Sequence, residues 1–124
     1  VELPEEKLPQ APSQGQIDQA LAREGAAIRA KLPPSAVLAA LCVEGRMRSS
    51  EELARYLADS AAQGASHIVF LIGSSFGMHE SLKRQAALRL SMSPMTFPHH
   101  LLRVMLLEQI YRAYQINAGS RYHK

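Results

Sequence analysis

Residues 90–124 read LSMSPMTFPHHLLRVMLLEQIYRAYQINAGSRYHK, and the chain is organised around this stretch. It begins with a turn-rich loop (Ser91 to Pro98), continues into the strongest helical pattern of the chain (His100 to Asn117) and ends in a short basic tail. The polar residues on one narrow face of that helix are Glu108, Gln109, Arg112 and Gln115. Nearly every other position is apolar, which predicts a helix buried on several sides. A partner subunit could cover the excess apolar surface.

Arg103 is the exception on the apolar side of this helix. A guanidinium in such surroundings needs a partner, because burying an unpaired charge is costly. Two interpretations remain open at this point. Either the side chain reaches solvent or a neighbouring loop, or it faces an anionic site built beside Ser91–Pro98.

Length and composition limit the class of protein. With 124 residues, we expect a single domain over 1–124 with a modest core. No apolar run approaches the length of a membrane span, and the lone Cys42 fits a reducing cytoplasm. The adjacent His99 and His100 have no carboxylate or thiol nearby in the sequence, so we expect no metal site.

Positive charge is concentrated at one end of the chain. Residues 83–124 contain seven Lys or Arg and one acid, whereas residues 1–82 contain seven bases and ten acids. A basic segment of this kind suits a polyanion such as RNA, although many basic surfaces are only solvated. The charge distribution therefore favours a nucleic-acid partner without establishing one.

Strand and helix patterns alternate before the final stretch. The predicted helices are Gln16–Lys31, a helix opening at a Ser49/Glu52 capping box and ending near Gly64, and Glu80–Leu90. The predicted strands are a remnant at Val1–Leu3, then Ser35–Val43, His67–Ile72 and a short strand at Met95–Phe97, with a turn at Glu44–Arg46. This alternation predicts an α/β fold with a parallel sheet covered by helices on both faces.

Ligands of such sheets bind beyond the carboxyl ends of the strands. The expected strand ends are Leu41–Gly45, Gly73–Gly77 and Thr96–His99. The second of these, GSSFG, would let a ligand approach the backbone closely, but a tight turn without a ligand would look the same. It has neither the lysine of a P-loop nor the glycine spacing of a dinucleotide site.

The tail differs from an ordinary chain end. Arg121-Tyr122-His123-Lys124 places a phenol, an imidazole and an ammonium group in consecutive positions after Gly119. Chain termini are often frayed, and that interpretation stays open. The other interpretation is a tail that folds over an active site.

Three runs together carry a family resemblance: LSMSPMTFPHHLLRVMLLEQIYRAYQI, FLIGSSFG and the terminal YHK. They resemble the SPOUT-superfamily methyltransferases that modify pseudouridine at N3 in large-subunit (23S) ribosomal RNA, the ribosomal RNA large subunit methyltransferase H family. The resemblance covers essentially the whole chain from Val1. It implies a C-terminal trefoil knot, an S-adenosylmethionine site in the knot and a homodimer formed through the 101–116 helix. It also implies a cytoplasmic enzyme that acts on ribosomal RNA, in the large subunit or in the assembled ribosome.

The resemblance also assigns roles to residues. Its cofactor pocket comprises Leu41, Gly73, Met92, Ser93, Pro94, Met95, Thr96 and Phe97. Its catalytic tail comprises Tyr122, His123 and Lys124, closing over the methyl group. We expect His123 to be the general base, because the ordinary histidine pKa of about 6.5 suits that role. The resemblance places Arg103 and Arg112 near the site or the interface. We expect these two and Arg121 to bind the RNA substrate, since all three lie in the basic last third of the chain.

The sequence departs from the family at three places. Members usually begin with a further strand and helix, which this sequence does not show. We expect either a sheet that lacks its first strand-helix unit or a longer chain in which that unit precedes Val1. Cys42 stands where an acid is usual, and GSSFG replaces a loop with a second glycine followed by an acid. These departures keep open a non-catalytic RNA- or ribosome-binding module with a degenerate pocket. An unrelated doubly wound nucleotide-binding domain is disfavoured, because its phosphate motifs are missing.

Overall fold

The computed structural model describes residues 1–123 of the protein, in which helices and strands alternate. The elements are α1 (Gln14–Lys31), β1 (Val37–Met47), α2 (Ser50–Ala62), β2 (Ile68–Ile72), α3 (Glu80–Gln85), β3 (Leu88–Ser91) and α4 (His99–Asn117). The strands form a three-stranded parallel sheet in the order β2-β1-β3. The predicted α/β class and parallel sheet are confirmed.

Helices cover both faces of the sheet because the residues of the central strand β1 alternate between two apolar clusters. One cluster contains Leu38, Ala40, Leu71, Met78 and Leu82, with Ile28 of α1 packed against it. The other contains Ala39, Leu41, Leu88, Leu90 and Leu106 of α4. Helices α1 and α3 therefore lie on one face, and α4 lies on the other. The alternation of β1 follows from the two-residue period of a strand.

Helices α1 and α2 begin at side-chain caps that the sequence encodes. Ser49 accepts a hydrogen bond from the backbone N–H of Glu52, and the Glu52 carboxylate accepts one from the N–H of Ser49. Ser13 and Gln16 form the same pair at α1. Helix α2 ends beside Gly64, whose φ of 91° requires a residue without a side chain. The predicted capping box and stop of α2 are confirmed.

We expect Ser49→Ala to lower the free energy of unfolding by about 1 kcal/mol, because it leaves an N-terminal N–H of α2 without its acceptor. Urea denaturation followed by circular dichroism measures the change. Ser60→Ala, inside the same helix, is the matched control and should be neutral or slightly stabilising, since alanine is the better helix former. Equal midpoints for the two variants would contradict a stabilising cap.

The region after α3 differs from the prediction. Helix α3 ends at Gln85, and the third strand is Leu88–Ser91 rather than Met95–Phe97. Leu88 and Leu90 are buried while Arg89 is exposed, so this segment follows a strand period rather than the helical period that was predicted. Ala39 and Leu41 of β1 pair with Leu88 and Leu90. This tertiary pairing overrides the local helical pattern. The third strand end is therefore at Ser91, not at Thr96–His99.

Two smaller predictions are also wrong. Val1–Leu3 is not a strand in the described chain, because it pairs with no strand of the sheet. Glu44–Arg46 is not a turn but part of β1, which continues to Met47 through a register shift between Leu41 and Arg46. Gly45 permits this, since a Cβ there would lie 2.8 Å from the backbone carbon of Arg89.

Helix α4 has two apolar sides, of which its own chain covers one. Leu106 and Ala113 are buried against the sheet and α2. The opposite side, here called the outer face of α4, is between 48% and 63% exposed and comprises Leu101, Val104, Leu107, Tyr111 and Tyr114. None of the helices within residues 1–123 has the length and apolar character needed to cross a membrane.

Candidate active site at the carboxyl edge of the sheet

Strands β2 and β3 end beside the same residue of β1 at one edge of the sheet, and β1 continues past this point to Met47. Leu41 of β1 pairs with Ile72 of β2 on one side and with Leu90 of β3 on the other. Gly73 and Ser91 directly follow these partners along the chain. Since parallel strands end at the same edge, the structure brings together the predicted pocket residues Leu41, Gly73 and Met92. Met92 also packs against the cluster that contains Leu41, Leu90 and Leu106.

The first loop at this edge, Gly73–Gly77, is a tight turn closed by its own backbone. Ser74 and Gly77 each donate an N–H to the other's carbonyl oxygen at 2.9 Å. A Cβ on Gly73 would lie 2.6 Å from the backbone of Gly77, and Gly77 itself has a φ of 92°. The turn alone therefore requires both glycines. A bulky residue at position 73 would displace the turn itself. Loss of ligand binding in such a variant would therefore not show that a ligand contacts Gly73 directly.

The second loop, Met92–Phe97, has no regular secondary structure and contains no charged residue. The Ser91 hydroxyl donates to the carbonyl of Ser93 at 3.1 Å, and the Ser93 hydroxyl accepts from the N–H of Met95 at 3.0 Å. Pro94, Met95 and Thr96 are exposed. Hydrogen bonds therefore hold the first residues of the loop, whereas its middle is exposed to solvent. Together, Gly73–Gly77 and Met92–Phe97 are called the sheet-edge loops below.

A separate groove of about 520 Å³ lies on the outer side of the first loop. It is bounded by the N-terminal segment 5–10, by α1 and by residues 74–76. The Glu5 carboxylate accepts a hydrogen bond from the N–H of Ser75, which lowers the pKa of Glu5. No described residue of Met92–Phe97 lines this groove. We assign the candidate site to the edge where the strands converge, because strand ends position ligand contacts in parallel sheets.

Cys42 follows Leu41 at this edge. Its side chain is half-buried, and burial is the main reason that the pKa of its thiol is raised. The neighbouring Glu44 carboxylate raises it further. The thiol therefore stays protonated and uncharged at neutral pH.

The tail folds back onto its own chain. The Tyr122 hydroxyl donates to Oε2 of Glu108 at 2.7 Å, and its ring lies 5.0 Å from the ring of Tyr111. His123 contacts Glu51 through Nε2 at 2.7 Å and Arg112 through Nδ1 at 3.0 Å. Tyr122 and His123 are held by these hydrogen bonds, so this part of the tail is not frayed. Both side chains lie against their own chain rather than extending away from it.

Arg112 lies at the centre of these contacts. Its Nε and Nη2 donate to the two oxygens of Glu108 at 3.0 and 3.1 Å. Its guanidinium carbon also lies 4.8 Å from the centre of the Tyr122 ring. The residues Glu51, Glu108, Arg112, Tyr122 and His123 are called the tail cluster below.

Hydrogen bonds set the ionisation states in the tail cluster. Arg112 donates to Glu108 and, as the larger cause, lowers the pKa of that carboxyl; the Tyr122 hydroxyl adds to the effect. The Glu108 carboxylate in turn raises the pKa of Tyr122. The phenol therefore stays protonated at neutral pH and acts as a donor.

The remaining predicted residues are dispersed. Arg103 is half exposed, and its nearest acid is Glu2 at 3.8 Å. This geometry fits the solvent-reaching interpretation of Arg103. Arg121 is exposed at the surface, and Lys124 lies outside the described residues.

Sequence reasoning missed the two acids of the tail cluster. Glu108 had a usable signal, because it is the lone acid of residues 83–124. Glu51 had none, because it follows the α2 cap like any helix-starting acid and lies 72 residues from His123.

Known proteins resemble this chain over its full length. A family model described as "Predicted SPOUT methyltransferase" matches residues 1–123. The protein named "Ribosomal RNA large subunit methyltransferase H" of Moorella thermoacetica is 48% identical over 124 residues, which is all of this chain and 78% of that protein. The three-stranded parallel sheet flanked by helices agrees with this match. The chain therefore belongs to the SPOUT methyltransferase family.

Proposed function

We propose that the protein transfers a methyl group from S-adenosylmethionine to N3 of a pseudouridine in 23S ribosomal RNA. The observation that carries the proposal is the likeness of the whole chain to a protein named as a ribosomal RNA large subunit methyltransferase. The tail cluster supports it, because it places a phenol and an imidazole in an ordered arrangement. The family name alone leaves the acceptor open.

The sheet-edge loops fit the proposed cofactor. S-adenosylmethionine carries a positive sulfonium and an uncharged adenine, and when bound it supplies an electrophilic methyl group. The loop Met92–Phe97 has no Lys or Arg that would repel the sulfonium, and its exposed tip offers backbone groups to an adenine edge. Leu41 and Met92 add an apolar floor. In this proposal Leu41, Gly73 and Met92–Phe97 hold the cofactor, with Gly73 acting through the shape of the turn.

The protein's own chemical task is to orient the base and accept one proton. Pseudouridine N3 is a weakly acidic imide, so its proton must leave as N3 bonds to the methyl carbon and the carbon–sulfur bond breaks. Tyr122 is held protonated by Glu108 and so serves as a donor rather than a base. His123 is then the proton acceptor in the tail, and the imidazolium returns the proton to water. Positioning and a general base together lower the barrier.

Ribosomal RNA as the partner agrees with the distribution of charge. Arg84, Arg89, Arg103 and Arg121 are exposed, and all belong to the basic segment 83–124. Such residues neutralise phosphates and make affinity depend on salt. Arg112 differs, since its guanidinium is engaged by Glu108, His123 and Tyr122. We therefore propose Arg103 and Arg121 for RNA contact and place Arg112 in the tail cluster.

We propose a homodimer that buries the outer face of α4. The five residues of that face are apolar or aromatic and are between 48% and 63% exposed, which is unusual for a monomer surface. Tyr122 lies beside Tyr111, a member of the same face. A two-fold contact there would place the tail of one subunit against the other subunit. The site is then completed by both chains.

The family's trefoil knot is part of the proposal. Strands β2 and β3 lie on opposite sides of β1, and α3 and α4 cover opposite faces of the sheet. The chain therefore passes around the carboxyl edge through Met92–Pro98. This path supports a knotted loop at the cofactor site, an exception to the usual rule against threading.

Methyl transfer to ribosomes that lack the modification tests the function. The protein is incubated with labelled S-adenosylmethionine and either free 23S RNA, large subunits or assembled ribosomes. We expect label at N3 of a pseudouridine, identified by digestion and mass spectrometry. Binding to ribosomes without transfer of label would overturn the proposed methyltransferase activity. It would instead support the alternative of a non-catalytic ribosome-binding module, which Cys42 and the GSSFG loop suggest.

A further inference from the structure

The imidazole of His123 is held from both sides by groups of fixed hydrogen-bonding character. Arg112 Nη1, at 3.0 Å from Nδ1, belongs to a side chain that can only donate. Glu51 Oε1, at 2.7 Å from Nε2, belongs to a carboxylate that can only accept when ionised. Nδ1 must therefore carry the lone pair, and Nε2 must carry the proton. The geometry selects one tautomer.

Both contacts come from well-anchored elements. The Glu108 carboxylate holds Arg112 through Nε and Nη2, which leaves Nη1 for His123. Glu51 is in the first turn of α2, where the helix dipole favours a negative charge. The hydrogen bond from His123 is the largest cause that lowers the pKa of Glu51, so its carboxylate is ionised at neutral pH.

The start of α2 is also tied directly to α4. The Ser50 hydroxyl donates to the side-chain oxygen of Gln109 at 2.7 Å. Glu51 therefore has a defined place relative to Glu108 and Arg112. A carboxylate fixed in this way can orient an imidazole even though it is solvent-exposed.

We propose that Glu51 is a positioning residue, which holds Nε2–H of His123 and so makes Nδ1 the proton-accepting nitrogen. The proposal rests on the proposed methyl transfer and adds a residue that acts through His123. Arg112 occupies Nδ1 in the absence of substrate, and the N3–H of the base takes its place. The proton leaves N3 for Nδ1 while Glu51 keeps the hydrogen bond to Nε2–H.

The first test measures the tautomer without cofactor or RNA. Isotope-labelled histidine nitrogens are observed by NMR above the ordinary histidine pKa of about 6.5, and His123→Gln identifies the His123 signals. We expect one tautomer, with Nε2 protonated and Nδ1 free, in the wild type. Glu51→Ala should shift the populations toward the mixture of a free imidazole, because only Arg112 then acts on the ring, whereas Glu51→Gln, which keeps an acceptor oxygen, should retain the selection. A mixture in the wild type would overturn the proposal.

The second test measures turnover. Glu51→Ala should lower kcat by roughly 10- to 100-fold with KM for ribosomes nearly unchanged, because misplacing a reacting group acts on the chemical step. Glu51→Gln should recover part of the loss. Glu80→Ala, which removes an exposed acid from the first turn of α3, is the control and should match the wild type. An unchanged kcat for Glu51→Ala would contradict positioning.

The two tests separate this inference from the proposed function. If the wild type methylates no RNA, the proposed function fails and the proton-accepting role of Nδ1 fails with it. The tautomer measurement still decides whether Glu51 orients His123. If the wild type is active and the tautomer is mixed, the function stands and only the role of Glu51 is overturned.

Discussion

Deletion of Tyr122–Lys124 is expected to abolish detectable methyl transfer while leaving cofactor binding and dimerisation largely intact. The deletion removes the proton acceptor and the phenol that lies beside it. Loss of a general base typically costs about 10²- to 10⁴-fold in rate, and loss of positioning adds to this. The sheet-edge loops and the outer face of α4 keep all their residues. Methyl transfer to ribosomes, calorimetry with S-adenosylmethionine and sedimentation measure the three properties separately.

The fold should survive the deletion for a structural reason. The tail makes its hydrogen bonds with Glu51, Glu108 and Arg112, which are surface groups that water can solvate. Glu108 and Arg112 also keep their own ion pair at 3.0 Å. The unfolding midpoint should therefore change little, since exposed ion pairs contribute little to stability.

Single substitutions refine the result. His123→Ala should lower kcat more than cofactor affinity, while His67→Ala, an exposed histidine at the opposite end of β2, should have no effect. Normal methylation by the truncated protein would mean that the docked tail has no part in the reaction.

The main elements could be predicted because they are encoded locally. Helix α2 is marked by the Ser49/Glu52 cap and stopped by Gly64. Strand β2 and the first part of β1, residues 37–43, are continuous apolar runs. Their alternation leads to a parallel sheet, and a parallel sheet places its strand ends at one edge. The convergence of Leu41 and Gly73 could therefore be anticipated before any contact was known.

Strand β3 could not be predicted because its signal is tertiary. Leu82, Ala86 and Leu90 have the four-residue spacing of a helix face, and four residues of strand are too few to show alternation clearly. Pairing with Ala39–Leu41 decides the outcome, and it is set by residues nearly fifty positions earlier in the chain.

The candidate site also has one part that could be predicted from the sequence and one that could not. The tail residues were visible in the sequence as a run of reactive groups, but what holds them was not. Glu51 and His123 are separated by 72 positions, and no local pattern links them. The sequence predicts that Arg112 binds the substrate, because it shows the charge of Arg112 but not its ion pair with Glu108. Pairwise contacts of this kind require the fold.

Val104→Glu combined with Leu107→Glu is expected to convert the proposed dimer into a monomer. Both side chains lie in the outer face of α4 and are 63% and 56% exposed in the single chain. A two-fold contact contains every residue twice, so the double variant places four unpaired carboxylates in the interface. Burying unpaired charge is strongly unfavourable, whereas exposed glutamates are well tolerated in a helix. Sedimentation at micromolar concentration measures the change.

Activity should fall together with dimerisation if each tail completes the partner's site. The monomeric variant should keep its helical circular dichroism, because the substituted residues touch little of their own core. Ala27→Glu, which adds a carboxylate to the exposed side of α1, is the matched control and should remain dimeric and active. A wild type that sediments as a monomer would exclude the α4 dimer, and a double variant that remains dimeric would move the interface elsewhere. A monomeric variant with full activity would show that one chain builds the whole site, with its own tail serving its own sheet edge.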